Sequence, residues 1–273
     1  MSHELDERKP VVAGQFYPDN PQQLRKQVDG FLTDRQPCRP ALGLMAPHAG
    51  YLYSGAIAGA TFSSVEIPDS VILIGPNHQG VGESCGVYSS GSWQSPLGSV
   101  AIDNELAKAV IDSDPLLVAD TAAHRYEHSL EVMLPFLSVL NPQVKIVPIC
   151  LRPHPYHLLE QLAHALSRVI AEYRQPVLIV ASSDMTHYES VDQAAKKDHY
   201  ALDAVVNLDA KELYQRVTSS HISMCGMPAA VVMLLATKLM GAQHAELIRY
   251  GHSGEVTNDQ ASVVGYAGVV VRL

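Results

Sequence analysis

Three histidines in this 273-residue sequence stand shortly after apolar runs, near positions where a buried strand would end. His48 lies in ALGLMAPHAG, His78 in VILIGPNHQG and His187 in PVLIVASSDMTH. Such runs, rich in β-branched residues, are typical of strands covered on both faces. Most single histidines are structural, but ligands bind at the carboxyl ends of strands in open α/β sheets. The shared placement therefore predicts one pocket in which imidazoles bind a metal or move protons.

Cys225 stands in SMCGMPAAVVMLLATKLM, where Gly226 and a proline introduce a long apolar helix. The sulfur is thus predicted at a helix N-terminus, where unpaired amides and the helix dipole favour a thiolate. A thiolate is a soft metal ligand or a nucleophile. The alternative is a buried cysteine that packs as a small apolar residue, and the local sequence does not decide between the two. A structural role is predicted for the remaining cysteines, Cys38, Cys85 and Cys150.

Asp184 and His187 are three residues apart in SSDMTH, a spacing that could place a carboxylate beside an imidazole. Such a pair orients and charges a general base, so both residues are candidate catalytic groups. Alternatively, Asp184 caps the start of a helix through its side chain, and the two roles are compatible.

A rival pattern appears in AHRYEHSLE, where His124, Glu127 and His128 match the H-x-x-E-H motif of inverted zinc-protease sites. On one helix face both histidines would reach zinc. The motif is short, however, and the preceding DTAAH is typical of a loop that becomes helical only near Glu127. We therefore expect Glu127 and His128 to line the pocket and His124 not to bind metal. No G-x-S-x-G elbow, P-loop or dinucleotide-binding glycine motif is present.

Composition and charge narrow the class of protein. A formal net charge of −9 opposes nonspecific binding to nucleic acid or to anionic membranes, and we expect neither partner. The chain has 47% hydrophobic residues but no uninterrupted apolar stretch of membrane-spanning length. Its four cysteines lie far apart without a C-x-x-C pair, which disfavours a disulfide framework or a zinc ribbon. We expect a cytoplasmic, globular protein.

Apolar runs alternate with amphipathic segments along the chain and predict an α/β fold, with a central mixed, mostly parallel sheet flanked by helices. Helices are predicted near 21–33, 54–64, 104–112, 127–140, 157–173, 192–206, 210–218 and 226–240. Strands are predicted near 42–46, 71–75, 144–150, 177–182, 245–250 and 262–271. Short strands punctuated by glycine and serine between 84 and 101 predict antiparallel hairpins at one sheet edge. No linker or repeat divides the chain, so we expect one domain over residues 1–273.

Six motifs in order along the chain carry a resemblance to a known family: AGQFYP, APHAGYLYSG, GPNHQG, EHSLE, SSDMTHY and CGMPA. Together they span nearly the whole chain from residue 11, and the chain resembles the Memo-like proteins, called AmmeMemoRadiSam system protein B in prokaryotes. That family is similar in fold to class III extradiol dioxygenases, which hold ferrous iron with two histidines and a carboxylate beside a histidine acid/base. The resemblance implies a single α/β domain of that type.

The resemblance also implies a set of site residues. His48 and His78 would be metal ligands, Cys225 would occupy the third ligand position, and His187 would be the acid/base histidine with Asp184 nearby. A thiolate in place of a carboxylate softens the site and favours copper or another thiophilic metal over iron. We therefore expect iron or copper, with zinc as the alternative if the site reduces to imidazoles. The implied function is a non-haem, dioxygenase-like oxidoreductase.

Two further expectations concern ligands. We expect Phe16 and Tyr51 or Tyr53 to form an aromatic wall, with His128 in contact with a bound small molecule or peptide, because GQFYP and HAGYLY place rings beside the strand ends. Ordinary packing is the alternative for these rings. The alternative function is a non-catalytic copper-, iron- or peptide-binding protein, and the family name implies a partner among AmmeMemoRadiSam system proteins.

Overall fold

The apolar runs of the sequence form the strands of one large mixed sheet. The computed structural model describes residues 7–32 and 38–273. Within these residues, twelve strands belong to the sheet. They are β1 (Glu7–Arg8), β2 (Gly43–Ala46), β3 (Ser70–Pro76), β4 (Cys85–Val87), β5 (Ser92–Ser95), β6 (Gly98–Ile102), β7 (Val118–Ala119), β8 (Lys145–Leu151), β9 (Val177–Ser182), β10 (His187–Glu189), β11 (His244–His252) and β12 (Val263–Arg272).

The centre of the sheet consists of five parallel strands in the order β6-β8-β3-β9-β2. Beside β2, strand β12 runs antiparallel and pairs in turn with β10 and β11. At the other side β5 pairs antiparallel with β6, and β1 lies outermost. The antiparallel hairpin predicted within 84–101 is thus formed by β5 and β6, and the predicted mixed sheet is confirmed.

Helices cover both faces of this sheet. All residues of β2, β3 and β9 are buried, and successive strand residues point to opposite faces. The helices are α1 (Pro21–Phe31), α2 (Tyr51–Ser63), α3 (Asn104–Ser113), α4 (Leu134–Leu140), α5 (Tyr156–Glu172), α6 (Val191–Val206), α7 (Ala210–Ser219), α8 (Met227–Leu239) and α9 (Gly254–Thr257). One group, α2 with α1 and α4, packs on β2 and β12, and another, α8 with α5 and α7, packs on β2, β3 and β9. The chain is therefore one α/β domain.

The helix predicted over 127–140 is the main departure from the sequence-based expectation. Residues 125–130 contain no helix, a short 3₁₀ turn covers Glu131–Met133, and α4 begins only at Leu134. The Glu127 carboxylate accepts the backbone amide of His78, and the Glu127 carbonyl accepts from Arg8, so this segment is held by long-range hydrogen bonds in place of helical ones. Propensity is a weak prior that such tertiary contacts override.

Four short elements were not predicted, namely β1, β7, β10 and α9, and the other differences are small. Helix α2 begins three residues before its predicted start at 54. Helix α1 ends at Phe31, and residue 33 of the predicted segment lies outside the described residues. None of the helices in the two described ranges is long and apolar enough to cross a membrane.

Candidate metal centre

The strands that lead into the three predicted histidines are neighbours in the sheet. Strands β3, β9 and β2 lie in that order and run parallel, with Ala46 opposite Ser182 at their ends. Strand β2 leads into His48, β3 into His78, and β9 into the irregular segment before His187. These chain segments therefore meet at one edge of the sheet, the edge formed by the carboxyl ends of the parallel strands. The sequence predicted this meeting, although it did not give the strand order.

His48, His78 and His128 form a cluster at this edge, which we call the histidine cluster. One ring nitrogen of each residue lies within 4.8 Å of one ring nitrogen of each of the others. The ring centroids of His48 and His78 are 5.2 Å apart, those of His48 and His128 are 5.6 Å apart, and those of His78 and His128 are 5.0 Å apart. Three imidazoles at this separation can converge on one cation.

Ser182 holds one ring nitrogen of His48, and the other ring nitrogen lies beside the Cys225 sulfur. Its Nδ1 lies 2.7 Å from Ser182 Oγ, which donates its own proton to the Ser129 carbonyl at 2.7 Å. The serine oxygen therefore accepts from Nδ1–H, and Nε2 carries the lone pair. Burial lowers the pKa of His48 well below its usual range, and His78 and His128 lower it further. The ring is thus neutral, as a metal ligand must be.

Glu127 orients His78. Its Oε1 lies 2.9 Å from His78 Nδ1, and its Oε2 accepts the His78 backbone amide at 2.6 Å. An ionised carboxylate only accepts hydrogen bonds, so Nδ1 carries the hydrogen and Nε2 faces away from Glu127. Burial alone would lower the pKa of His78, but the hydrogen bond and charge of Glu127 outweigh it and raise that pKa. Burial raises the pKa of Glu127, and its bonds to His78 and Ser129 bring the net value down to about 2.

His128, predicted as a substrate contact, lies inside the histidine cluster. Its ring stacks on His78 with an interplanar angle of 11° and meets the edge of the Phe16 ring at a centroid distance of 4.9 Å. Its Nδ1 is 3.6 Å from Glu127 Oε1, which is too long for a hydrogen bond. Burial lowers the pKa of His128, although Glu127 opposes that shift. A neutral ring in this place suits a metal ligand as well as a substrate contact.

Cys225 lies beside the histidine cluster. Its Sγ is 3.2 Å from His48 Nε2 and accepts the backbone amide of Asp184 at 3.3 Å. The sulfur stands two residues before α8, as predicted. A Cβ on Gly226 would lie 2.1 Å from the Ser182 carbonyl oxygen, so glycine is required for the helix start to approach the end of β9 this closely.

The expected preference of Cys225 for the thiolate is wrong for the protein without a metal. Burial raises the pKa of this thiol, and the Asp184 carboxylate raises it further. The backbone amides of Asp184 and Gly226 lower it by less than these two effects raise it. A helix N-terminus is present, but burial beside a carboxylate outweighs it. The S–H group is instead within hydrogen-bonding distance of His48 Nε2.

Asp184 and His187, both within the described residues, lie near each other but form no hydrogen bond with each other. Asp184 Oδ1 accepts the backbone amide of His48 at 2.7 Å, and burial raises the pKa of Asp184 despite this bond. The Nδ1–H of His187 donates to the Ser223 carbonyl at 2.9 Å. Ser223 therefore orients His187, in place of the expected Asp184, and leaves Nε2 of His187 free to accept a proton.

The expected aromatic wall is present only in part. Phe16 contacts His128, and Tyr53 is 39% exposed near the start of α2. Tyr51 is buried at 2% exposure, and its hydroxyl donates to the Val132 carbonyl at 2.7 Å. Its ring packs against Phe136 in the core, so a substrate-binding role for Tyr51 is not supported by its position.

The rival protease pattern does not converge. His124 lies in a 3₁₀ turn and is fully buried. Its Nε2 lies 3.0 Å from the Gly86 carbonyl and its Nδ1 lies 3.3 Å from Cys150 Sγ. Both ring nitrogens are thus engaged by structural partners, and His124 is not part of the histidine cluster. The expectation that His124 lies outside the metal site agrees with this placement.

A buried ion pair between two segments distant in sequence holds the loop that contains Glu127. Arg8 Nη1 and Glu131 Oε2 are 2.7 Å apart, and Arg8 Nη2 donates to the Glu127 carbonyl at 2.6 Å. Glu131 is fully buried and also accepts from the Tyr17 hydroxyl at 2.7 Å. The paired acids of EHSLE could have suggested this arrangement, but nothing local identifies Arg8 as their partner.

Comparison with known proteins identifies relatives over nearly the whole chain. A sequence model of the family described as Memo-like protein matches residues 8–270. A MEMO1 family protein of Methanopyrus kandleri is 39% identical over 281 residues, covering 97% of this chain and 99% of that protein. One from Aquifex aeolicus is 39% identical over 267 residues, covering 96% and 98%. A solved structure of an uncharacterised Escherichia coli protein matches with a TM-score of 0.53 at 13% identity, covering 82% and 98%, which shows a shared fold.

Proposed function

The chain belongs to the family of Memo-like proteins, and from that family and the histidine cluster we propose a non-haem oxidoreductase, dioxygenase-like, that uses iron or copper. The observation that carries this proposal is the direction of the imidazole lone pairs. Ser182 and Glu127 hold the Nδ1 hydrogens of His48 and His78, so Nε2 of each ring is left for a metal. Imidazole donors suit iron, copper and zinc.

His48 and His78 are the two constant ligands in this proposal, and Cys225 is the third. His128 stands within the same cluster and is either a further ligand or the first contact of a substrate. When bound, iron or copper supplies electron exchange with a substrate or with dioxygen. Binding through sulfur requires the Cys225 thiol to lose its proton.

His187 is the proton-transferring group. Its Nδ1–H is committed to the Ser223 carbonyl, and its Nε2 can therefore accept a proton from a substrate hydroxyl and return it. The protein would work in the cytoplasm, with other AmmeMemoRadiSam system proteins as partners.

Metal analysis of protein purified without oxygen tests the site. The parent should retain iron or copper, and His48→Ala should lose it. His124→Gln is the matched control, because His124 is a buried histidine bonded to Gly86 and Cys150 and should not affect metal content. Loss of metal from the His124 variant with retention in the His48 variant would refute the proposed site.

Substrate turnover separates the oxidoreductase from its alternative. Metal-loaded protein should consume oxygen when catechols or indoles are supplied, and His187→Gln should slow that consumption without releasing metal. A parent protein that holds its metal but consumes no oxygen with either class would favour a metal-handling or peptide-binding protein.

The third ligand can be identified with two metals. Cys225→Ser should weaken binding of Cu⁺ much more than binding of Zn²⁺, because a hydroxyl is a poor ligand for a soft metal. His128→Asn should weaken Zn²⁺ binding only if His128 is a ligand. Equal Cu⁺ affinities for the parent and Cys225→Ser would instead favour a three-imidazole site.

A further inference from the structure

Tyr188 has an unusual position directly after His187. It is 79% exposed, the highest value among the large hydrophobic residues of the described chain. Its φ of +62° lies in the left-handed region, which bulky side chains rarely adopt. Such a conformation costs free energy and persists only where the surrounding structure enforces it.

A β-bulge enforces this conformation. His187 is paired with Val264, and Glu189 is paired with Val263. Two steps along β10 thus correspond to one step along β12, and Tyr188 is the inserted residue. Bulges are common next to active sites, where they redirect a side chain.

Hydrogen bonds hold the chain on the N-terminal side of the bulge. The backbone amide of Thr186 donates to Asp198 Oδ1 at 2.9 Å, and the Thr186 carbonyl accepts the amide of Gly265 at 2.8 Å. The backbone amide of His187 donates to Ser223 Oγ at 2.7 Å. The backbone before Tyr188 is therefore fixed by hydrogen bonds, and this fixed backbone directs the Tyr188 side chain outward.

The fold gains little from the Tyr188 ring. Its hydroxyl has no hydrogen-bond partner among residues 7–32 and 38–273, and its ring contact is with His187, at a centroid distance of 5.8 Å. The stability of the fold does not explain why a strained aromatic residue stands here, because the ring buries almost nothing. Its contact with His187, the proposed proton-transferring histidine, suggests that the ring contacts a ligand.

A second exposed phenol follows another histidine of the site along the chain. Tyr53 is 39% exposed near the start of α2, which begins shortly after His48. Two accessible phenol rings thus follow site histidines, Tyr188 after His187 and Tyr53 after His48. Such rings favour planar ligands, because stacking or edge contacts add orientation to apolar burial.

We propose that Tyr188 contacts the ligand of this site and packs its ring against a planar, ring-containing molecule that reaches His187. This inference rests on the proposed function, since it assumes that the ligand binds at the histidine cluster. It assigns Tyr188 a role in selecting ring-containing ligands over saturated ones.

Calorimetric titration with two probes tests this role. Catechol is planar, and cis-1,2-cyclohexanediol carries the same two hydroxyls on a saturated ring. Protein loaded with Zn²⁺, which has no redox chemistry, is titrated without turnover. Tyr188→Ala and Tyr188→Gly should weaken catechol binding about tenfold, equivalent to ~1.4 kcal/mol, whereas Tyr188→Phe should bind like the parent. The weaker binding of the diol should not change.

Two controls separate ligand contact from structure. Tyr200→Ala removes another exposed tyrosine, 47% exposed on α6, and should leave catechol binding unchanged. In urea, Tyr188→Gly should unfold at a higher concentration than Tyr188→Ala, because glycine adopts a positive φ without strain. A parent that is clearly more stable than Tyr188→Ala would show that the ring stabilises the fold, and would overturn the proposal.

Failure of this inference is distinct from failure of the proposed function. Zinc binding by the parent is measured first, and a parent that binds no zinc would count against the metal site. The catechol titration is repeated with metal-free protein, so the role of Tyr188 is tested whether or not zinc binds. Catechol affinity that is equal in the parent, Tyr188→Ala and Tyr188→Gly, or a parent that binds no catechol in either form, would refute the role of Tyr188.

Discussion

Glu127 accepts two hydrogen bonds from His78, one from the ring Nδ1 at 2.9 Å and one from the backbone amide at 2.6 Å. A third, from the amide of Ser129, fixes the same carboxylate at 3.0 Å. One acid, with a side chain only 1% exposed, thus determines both the loop position and the ring orientation of a proposed ligand. Carboxylates that hold ligating histidines in this way also raise their basicity.

Glu127→Gln should weaken metal binding. The amide keeps the shape of the side chain but loses the charge that favours a cation on His78. Loss of such a partner lowers metal affinity by roughly 10- to 100-fold. Competition titration of Zn²⁺ against a chelator measures this change.

Glu131→Gln is the matched control for that variant. It alters the same residue type four positions away, but Glu131 pairs with Arg8 and Tyr17 and with none of the three histidines. It should lower the free energy of unfolding and leave the zinc affinity of the folded protein unchanged. Equal losses of affinity in the two variants would mean that the loop as a whole, and not the Glu127 contact, supports the site.

The cysteines should differ in reactivity. In metal-free protein, Cys38 should react with iodoacetamide faster than Cys225, because Cys38 is exposed whereas burial and Asp184 raise the pKa of the Cys225 thiol. Cys85 and Cys150 are buried and should react slowest. Mass spectrometry of timed samples at pH 8 measures the order, and labelling of Cys225 ahead of Cys38 would contradict the pKa direction.

Gly226→Ala should displace Cys225. The added Cβ would lie 2.1 Å from the Ser182 carbonyl oxygen, so the start of α8 must move away from β9. Overpacking of this kind costs roughly 1–3 kcal/mol of stability. Urea unfolding measures that loss, and Cu⁺ affinity should fall with it. Gly30→Ala is the control, because a Cβ there meets nothing within 4 Å and alanine favours the helix.

His124 should make stability depend on pH. Burial lowers its pKa from an ordinary 6.5 to about 4. Between these values the unfolded chain binds a proton at His124 and the folded chain does not, so the contribution of His124 is complete above pH 6.5 and declines as pH falls toward 4. The full difference corresponds to about 3 kcal/mol at most.

Urea unfolding of the parent and of His124→Gln at pH 7 and pH 4.5 measures this contribution. The stability advantage of the parent should be smaller at pH 4.5, because glutamine can still donate to Gly86 and does not titrate. His48, whose pKa burial also lowers, titrates in both proteins and cancels in the comparison. An advantage that does not change with pH would contradict the lowered pKa of His124.

Local sequence was sufficient to predict where the strands end and which histidines stand near those ends. An apolar run such as VILI forms a buried strand because of its own residues, and a polar break after it places His78 at the strand end. The same reasoning located His48, and it placed Cys225 just before α8. These predictions succeeded because each depends on a few consecutive residues.

The sequence by itself therefore determined the fold class and which residue types stand at the edge of the sheet. Only the tertiary structure decided how they are paired: His78 with Glu127, 49 residues away, and Cys225 with His48, 177 residues away. It also overturned the thiolate of Cys225 and the helix at Glu127. Burial controls the protonation of Cys225, and long-range hydrogen bonds control the backbone at Glu127. Local spacing encodes neither burial nor long-range bonding, because both depend on which distant segments the sheet order brings together.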